Sequence, residues 1–283
     1  MKKIIVSVAP VAANTQIIKG NPLTPEEIAD DVINCTRAGA SIVHLHVRDR
    51  NGDLTCDLTE FSRTLDLIRK RSDIIIQGST GGVSSLTLEE RCAAVYNPYV
   101  EIASLNMGSA NFDDGVYINT MRDIRYWAGR MKEKGVKPEL EIFEGGMVNN
   151  SVVIAAEGLI DPGMVFAFCL GFKGALQANT YNIEFLRGML PQGSIWGLVH
   201  HGMEDFSLLA SAIGIGASFV RVGFEDSMQY GLGKTAVSNS ELVERIVSLI
   251  RIMGYNIASP AETREILGIN NVKQIKVGEA QDD

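Results

Sequence analysis

The stretch at residues 41–49, SIVHLHVRD, decides the fold and the chemistry that the sequence predicts. It has the character of a β-strand, in which successive side chains point to opposite faces. His44 and His46 therefore share one face, while the other face is apolar and suits a layer of helices. Two imidazoles one alternation apart can reach one metal ion, and imidazole is a common zinc ligand. The stretch predicts a metal site, and the simpler alternative is a pair of buried core histidines.

An alternation of strand and helix continues along the chain. After the first strand, Thr24 and Glu27 have the spacing of a capping box, with Pro25 at the first helical position. A later helix is expected to begin with a similar cap at Thr87. The predicted strands are 3–8, 41–49, 73–77, 101–106, 139–144, 164–170, 194–200 and 218–224. Eight such units in about 250 residues predict an α/β fold, the (β/α)8 TIM barrel.

The barrel is expected to form a single domain over residues 1–268, including a short extra helix at 260–267. Residues 269–283 are expected to form a polar tail. The alternative is an open, doubly wound sheet. No GxGxxG motif follows the first strand, which argues against a dinucleotide-binding version of that sheet.

Composition limits the partners that the chain is expected to have. The 283 residues carry a net charge of −8 and contain no basic cluster, so nucleic-acid binding is not expected. No stretch approaches the ~20 apolar residues of a membrane span. The four cysteines are scattered without a CxxC pair, which is typical of reduced thiols in a cytoplasmic protein.

Polar side chains collect where the predicted strands end, and this is the end of a barrel that carries active sites. Glu225 follows strand eight, which lies near strand two in a closed barrel. Two histidines and one carboxylate leave a coordination position open on zinc, as in catalytic sites. Glu225 is therefore the expected third ligand. The alternative makes Glu225 the ion-pair partner of Arg48.

Arg221 lies deeper on the same strand and, if buried, needs carboxylate partners. Glu141 and Asp226 are the candidates. An Asp226 carboxylate held by Arg221 could act as a general base, or it could simply neutralise the arginine.

Two loops are ambiguous. The loop 79–82, STGG, offers hydroxyl and backbone N–H groups that could bind a carboxylate or phosphate, although many such loops are only tight turns. His200 could face the site, or both His200 and His201 could be ordinary loop residues.

Taken together, these segments resemble the β-keto acid cleavage enzymes, a family that includes 3-keto-5-aminohexanoate cleavage enzymes. The matching stretches span nearly the whole chain in the order typical of the family. They are 44–48 (HLHVR), 79–82 (STGG), 104–108 (SLNMG), 141–147 (EIFEGGM), 221–226 (RVGFED) and 258–267 (ASPAETREIL).

The resemblance implies a zinc-bearing TIM barrel, usually a homotetramer, that converts a β-keto acid and acetyl-CoA into acetoacetate and a new acyl-CoA. It places zinc on His44, His46 and Glu225. It makes Asp226 the base, held by Arg221, with Glu141 counted among the catalytic residues. The implied substrate contacts are Ser79, Gly82 and Ser104, and Asn14 and Asn106 are further candidates for substrate binding.

Two positions depart from the pattern of the family. Asn14 stands where relatives acting on an amino-substituted substrate carry a Glu, and a neutral amide binds an ammonium group less well. Residues 199–203, VHHGM, lack an Arg that relatives often carry after strand seven.

Two other functions fit parts of the sequence. A zinc-dependent hydrolase of the amidohydrolase type would use the His-x-His pair, a later His and an Asp after strand eight. That class carries His-x-His on its first strand, whereas a complete strand–helix unit comes first here. A metal-binding barrel without catalysis would not explain why Ser104, Arg221 and Asp226 meet at one end.

Overall fold

A computed structural model describes residues 2–12, 19–82, 85–112 and 114–269. Eight parallel strands form a closed barrel, in which the eighth strand pairs with the first at Val6 and Val220. The (β/α)8 prediction is therefore confirmed. The barrel strands are β1 (Lys3–Val8), β2 (Ile42–Leu45), β3 (Ile75–Gly78), β4 (Val100–Asn106), β5 (Lys137–Ile142), β6 (Val165–Leu170), β7 (Ile195–His200) and β8 (Phe219–Val222).

Helices surround the strands, and none in the described part of the chain is long and apolar enough to cross a membrane. They are α1 (Pro25–Ala38), α2 (Thr59–Arg69), the 3₁₀ helix Glu90–Tyr96, α3 (Met121–Lys134), α4 (Gly145–Ala156), α5 (Thr180–Met189), α6 (Ser207–Gly214), α7 (Asn239–Ile252) and α8 (Pro260–Leu267).

Local signals account for the helix starts that the sequence predicts best. Thr24 and Glu27 form the expected capping box of α1, in which each side chain bonds the backbone of the other. Ser259 and Glu262 form the same motif at α8. These contacts satisfy backbone N–H groups that the first turn of a helix leaves unpaired.

Several elements differ from the sequence prediction. The segment after Thr87 forms a 3₁₀ helix instead of an α-helix. The antiparallel pairs Ala110–Phe112 with Gly115–Tyr117 and Gln229–Gly231 with Lys234–Thr235 were not expected, because two- and three-residue strands carry too little periodicity to be distinguished from loops. A short strand, Asn256–Ile257, also pairs with the start of β1.

A buried cluster of ion pairs stabilises the amino-terminal end of the barrel. Both oxygens of Glu101 on β4 accept bonds from Arg264 of α8, at 2.6 and 2.8 Å, and Arg69 of α2 donates to one of them at 3.0 Å. Buried charges need such pairing to offset lost hydration. The cluster makes α8 an integral part of the barrel.

Candidate metal centre and active site

Strand β2 positions the two histidines by simple alternation. Val43 and Leu45 are buried on the helix side, and His44 points to the barrel interior with 2% of its surface exposed. His46 follows the last residue of β2 and lines the same cavity. The two rings meet edge to face, with their centroids 5.2 Å apart.

A sharp turn after β8 brings Glu225 to the histidines. Gly223 has a φ of 139°, and a Cβ there would lie 2.2 Å from the carbonyl oxygen of Ala9. The absence of a side chain lets the turn pack against the end of β1, where the Glu225 N–H bonds Ala9 O at 3.1 Å. The side chain of Glu225 then reaches over β1 towards β2.

The three side chains place their ligand atoms within 4.8 Å of one another. The Nε2 atoms of His44 and His46 lie 3.6 and 3.5 Å from the same oxygen of Glu225. These separations exceed the usual length of an N–H···O hydrogen bond. They fit the spacing of roughly 3.3 Å between two ligands of a tetrahedral zinc ion. The residues present therefore suit a divalent metal better than a simple ion pair.

Charge and tautomer favour the same interpretation. Burial lowers the pKa of His44 to about 3, so the ring is neutral and can ligate. Burial opposes ionisation of Glu225, but His44 and His46 hold its pKa well below the usual range of a carboxyl. Two imidazoles and one carboxylate form a typical ligand set for a catalytic zinc.

Gln77 orients the buried histidine. Its side-chain oxygen lies 2.8 Å from Nδ1 of His44, so Nδ1 carries the proton and Nε2 keeps its lone pair. Gln77 is fully buried in the barrel interior. Such outer contacts fix the ring orientation of metal-bound histidines. Alternation placed Gln77 on the polar face, but sequence reasoning gave it no role.

Arg221 and Asp226 form a second unit at the bottom of the cavity. Arg221 Nε and Nη2 donate to the two oxygens of Asp226 at 2.8 and 2.6 Å. Arg221 Nη2 also lies 3.5 Å from Glu225. Burial raises the pKa of Asp226, although the bonds from Arg221 oppose that effect. The Nη1 atom of Arg221 is buried without a hydrogen-bond partner among the described residues and is available to a ligand.

Glu141 lines the same cavity but does not form the ion pair with Arg221 that the sequence suggested as an alternative. Burial raises the pKa of Glu141 to about 8, and the nearby Glu139 and Glu225 carboxylates add to this effect. Asp226 is the closer partner because it follows the turn at Gly223, which returns the chain towards Arg221.

The loop 79–82 forms part of the cavity wall. Ser79 and Gly82 line the cavity, and the Ser79 hydroxyl accepts the N–H of Gly81 at 3.1 Å. Ser104 lies behind this wall, with its hydroxyl 3.5 Å from that of Ser79. Asn106 is also buried behind the wall, where its side chain accepts the N–H of Gly108 at 3.1 Å. Ser79 and Gly82 are thus the members of this set that face the cavity.

Tyr117 was missed by sequence reasoning because it lies on an unpredicted hairpin. Its hydroxyl accepts the N–H of Gly82 at 3.0 Å and a bond from Arg91 at 3.4 Å. The side chain is 5% exposed and lines the cavity. Tyr117 therefore holds the loop 79–82 in place.

Rings from four successive loops form an aromatic wall across the cavity from the metal ligands. Its members are Phe112, Tyr117, Phe143, Phe172 and His201. The His201 ring stacks on Phe172 with a centroid distance of 4.2 Å. His201, and not His200, is therefore the histidine of this loop that lines the cavity. Strand alternation offered His200 as a candidate because it is the last residue of β7, whereas His201 lies beyond the strand.

Of the remaining candidates, Arg48 lines the cavity but forms no ion pair with Glu225, and the others lie outside the described residues. Arg48 donates to the carbonyl oxygen of Gly52 at 2.8 Å, and Glu225 is paired with the histidines and Arg221 instead. Asn14 and the tail from residue 270 lie outside the described part of the chain. The cavity itself has a volume of about 740 Å³ and is lined by the candidate metal ligands together with Arg221, Asp226 and the aromatic wall.

Comparison with known proteins agrees with this combination of barrel and site. The model of the β-keto acid cleavage enzyme family matches residues 3–269. The chain belongs to this family. It is 39% identical, over 95% of its own length and 100% of the relative, to a 3-keto-5-aminohexanoate cleavage enzyme of Acetoanaerobium sticklandii. It is 30% identical, over 95% and 96% of the two chains, to the 3-oxoadipate:acetyl-CoA acetyltransferase of Cupriavidus necator.

A solved structure shares the fold of this β-keto acid cleavage enzyme. The ternary complex of ObcA with a C4-CoA adduct and oxalate superposes with a TM-score of 0.72 at 22% identity. The match covers 87% of this chain and 67% of the ObcA chain. The resemblance to the family that the sequence motifs indicated is confirmed, and with it an enzyme of the acyltransferase type.

Proposed function

We propose that this β-keto acid cleavage enzyme transfers acyl groups between a β-keto acid and acetyl-CoA, giving acetoacetate and a new acyl-CoA. The observation that carries the proposal is the single oxygen of Glu225 placed 3.5–3.6 Å from both Nε2 atoms, beside the Arg221–Asp226 pair. The acetyl-CoA named in the Cupriavidus necator relative supports the choice of co-substrate.

The metal in this proposal is zinc, held by His44, His46 and Glu225. A bound divalent cation would supply a Lewis acid that stabilises negative charge on substrate oxygens. The His44 ring is presented to the ion in one tautomer by Gln77, so little reorganisation is needed on binding.

Asp226 acts in the proposal as the general base that removes a C2 proton from the β-keto acid. Arg221 fixes the plane of the Asp226 carboxylate through two hydrogen bonds. Burial raises the pKa of Asp226, which makes the carboxylate a stronger base. The free Nη1 atom of Arg221 donates to an oxygen of the substrate. Ser79 contacts the substrate carboxylate, Ser104 supports Ser79 from behind, and Gly82, whose N–H bonds Tyr117, lines the same part of the cavity.

A new carbon–carbon bond then forms between the two substrates, and the original C2–C3 bond is cleaved. The deprotonated C2 attacks the acetyl thioester and expels the CoA thiolate. The thiolate adds to the original keto carbon, and cleavage of the C2–C3 bond gives the new acyl-CoA. The acetoacetate carbanion recovers its proton from Asp226, so the base ends the cycle as it began.

Three further expectations belong to this proposal. Glu141, neutral when its pKa is about 8, donates a hydrogen bond within the site. The protein works in the cytoplasm, consistent with free thiols at Cys35, Cys56, Cys92 and Cys169. It assembles as a homotetramer, as the family resemblance implies.

Incubation of the zinc-loaded protein with acetyl-CoA and a panel of β-keto acids tests the proposal. Acetoacetate and a matching acyl-CoA should form in equal amounts, and both should require acetyl-CoA. No acetyl-CoA-dependent acetoacetate from any keto acid would refute it. Release of products without acetyl-CoA would instead indicate the hydrolase alternative.

A further inference from the structure

The aromatic wall lies on the β4 to β7 side of the cavity, and none of its members is a metal ligand, base or substrate contact in the proposed reaction. Phe112 and Phe172 lie 4.9 Å apart between ring centroids, and Phe143 and Phe172 lie 5.1 Å apart. Tyr117 packs against Phe112 at 5.7 Å. The rings thus form a continuous surface contributed by the loops after β4, β5, β6 and β7.

Charges are distributed unevenly around the cavity. The β2 and β8 side of the cavity carries the charged residues Arg48, Arg221 and Asp226 together with the proposed metal ligands. Beside the aromatic wall, the hairpin contributes the carboxylate of Asp114 to the cavity lining. The side chain of Asp114 is 97% exposed and forms an ion pair with Lys173 at 3.0 Å. Glu141 lies two residues before Phe143 in the chain, and the positive charge of Arg221 acts on its carboxyl group. Among the described residues beside the aromatic wall, each of these two acids thus has a cation nearby, Lys173 for Asp114 and Arg221 for Glu141.

The packing of the rings decides between two kinds of ligand. Aromatic residues can also bind quaternary ammonium groups when several ring faces surround the cation. Here the rings pack on one another, with Phe112 against Tyr117 and Phe143 against Phe172, and His201 covers a face of Phe172 at an angle of 12°. Faces used in ring–ring packing are not free to surround a cation. A surface of this kind suits apolar groups, whose burial is favourable without a specific partner.

We propose that the aromatic wall receives an uncharged, apolar substituent carried on the keto carbon of the substrate. The β-keto acid of this enzyme therefore has a branched aliphatic or aromatic side chain instead of an ammonium or a second carboxylate. The inference rests on the proposed function, since it assumes that the carboxylate end of the substrate lies at the metal ligands.

Two isosteric pairs of keto acids test the inference directly. In the first pair, 5-methyl-3-oxohexanoate replaces the ammonium of 5-amino-3-oxohexanoate with a methyl group. In the second, 5,5-dimethyl-3-oxohexanoate replaces the trimethylammonium of 4-(trimethylammonio)-3-oxobutanoate with a tert-butyl group. Within each pair the shape is kept and only the charge changes.

Binding to the zinc-loaded protein is measured by calorimetry without acetyl-CoA, and turnover is then measured with it. The neutral member of each pair should bind and turn over at least tenfold better in Kd and kcat/KM. Equal or tighter binding of either cationic member would overturn the inference. Binding preference without any acetoacetate would support the aromatic wall and refute the proposed reaction, so the two failures are distinguishable.

Substitution of Phe112 provides a second test. Phe112 is only partly buried on the hairpin, so changes there should leave the barrel folded, which thermal unfolding and zinc content can verify. Phe112→Leu should keep the preference for neutral members. Phe112→Glu should shift the Kd ratio of the first pair at least tenfold towards the ammonium member. An unchanged ratio in a folded, zinc-loaded Phe112→Glu protein would show that the aromatic wall does not contact the substituent.

Discussion

Arg221 binds both oxygens of Asp226, with Nε 2.8 Å from Oδ2 and Nη2 2.6 Å from Oδ1. A two-point contact of this kind fixes the plane of the carboxylate as well as its position. Asp226 is also adjacent in sequence to Glu225, whose oxygen faces the two histidines. One short turn thus carries the proposed metal ligand and the proposed base, and substitution can separate their roles.

Asp226→Asn and Glu225→Gln should give opposite results for metal and turnover. Asp226→Asn should lower kcat by roughly 10²–10⁴-fold, because general-base catalysis contributes about that much, while zinc content stays near one per chain. Glu225→Gln should reduce zinc content, because a neutral amide is a poorer ligand. Metal analysis of dialysed protein, paired with the acetoacetate assay, provides both readouts. Full zinc occupancy in Glu225→Gln would exclude Glu225 as a ligand.

Gln77→Leu should lower zinc affinity by roughly 10–100-fold, because His44 loses the contact that fixes its tautomer and orientation. Competition with a chromophoric chelator measures this affinity. Asn97→Leu is the control, since it removes a buried side-chain amide outside the cavity lining. If both variants bind zinc like the parent protein, Gln77 does not position the metal ligand.

Tyr117→Phe should raise KM for the keto acid at least about fivefold, since the Gly82 N–H loses an acceptor whose loss costs roughly 1–3 kcal/mol. The ring is kept, so the aromatic wall is unchanged. Steady-state kinetics at saturating acetyl-CoA measure the change, and zinc content should not alter. Tyr126→Phe on the outer helix α3 is the matched control. An unchanged KM would mean that the loop 79–82 holds its conformation without Tyr117.

Asp31 on α1 should make the protein less stable as pH rises. Burial raises its pKa to about 6 from an unfolded value of 3.8, although a bond from Asn239 opposes this effect. The folded state therefore holds a proton that the unfolded state releases between about pH 4 and 6, and stability is lost across that window. Above it, the loss from this group is at most about 3 kcal/mol.

Asp31→Asn should therefore gain stability relative to the parent protein as pH rises from 4 to 7. Urea unfolding at several pH values measures the difference in free energy of unfolding. Asp30→Asn, which removes an exposed carboxylate from the same helix, is the control. A difference that is constant across the range would show that Asp31 does not retain a proton on folding.

Local patterns in the sequence predicted the barrel and the cluster of His44, His46 and Glu225. Strand alternation placed His44 and Gln77 inward, and the caps at Thr24 and Ser259 begin helices where expected. The pairing of β8 with β1 follows from barrel closure, which is why Glu225 could be assigned to the same site as β2. These features depend on periodicity or on topology, and both are visible in a single chain.

Other parts of the site depend on contacts that periodicity does not encode. Tyr117 reaches Gly82 across 35 residues from a three-residue strand. His201, and not His200, lines the cavity, because His201 follows the last residue of β7, where the chain leaves the strand geometry. Side chains on loops follow the local turn, so their direction required the structure.

The close approach of Gly223 to Ala9 has a consequence for how the protein would respond to its metal. β1 lies between β2 and β8, so ligands from the two flanking strands would join across the seam where the barrel closes. An ion that binds only the closed arrangement stabilises the folded state by mass action. The melting temperature should therefore rise with free zinc concentration, which makes heat resistance a measure of metal supply.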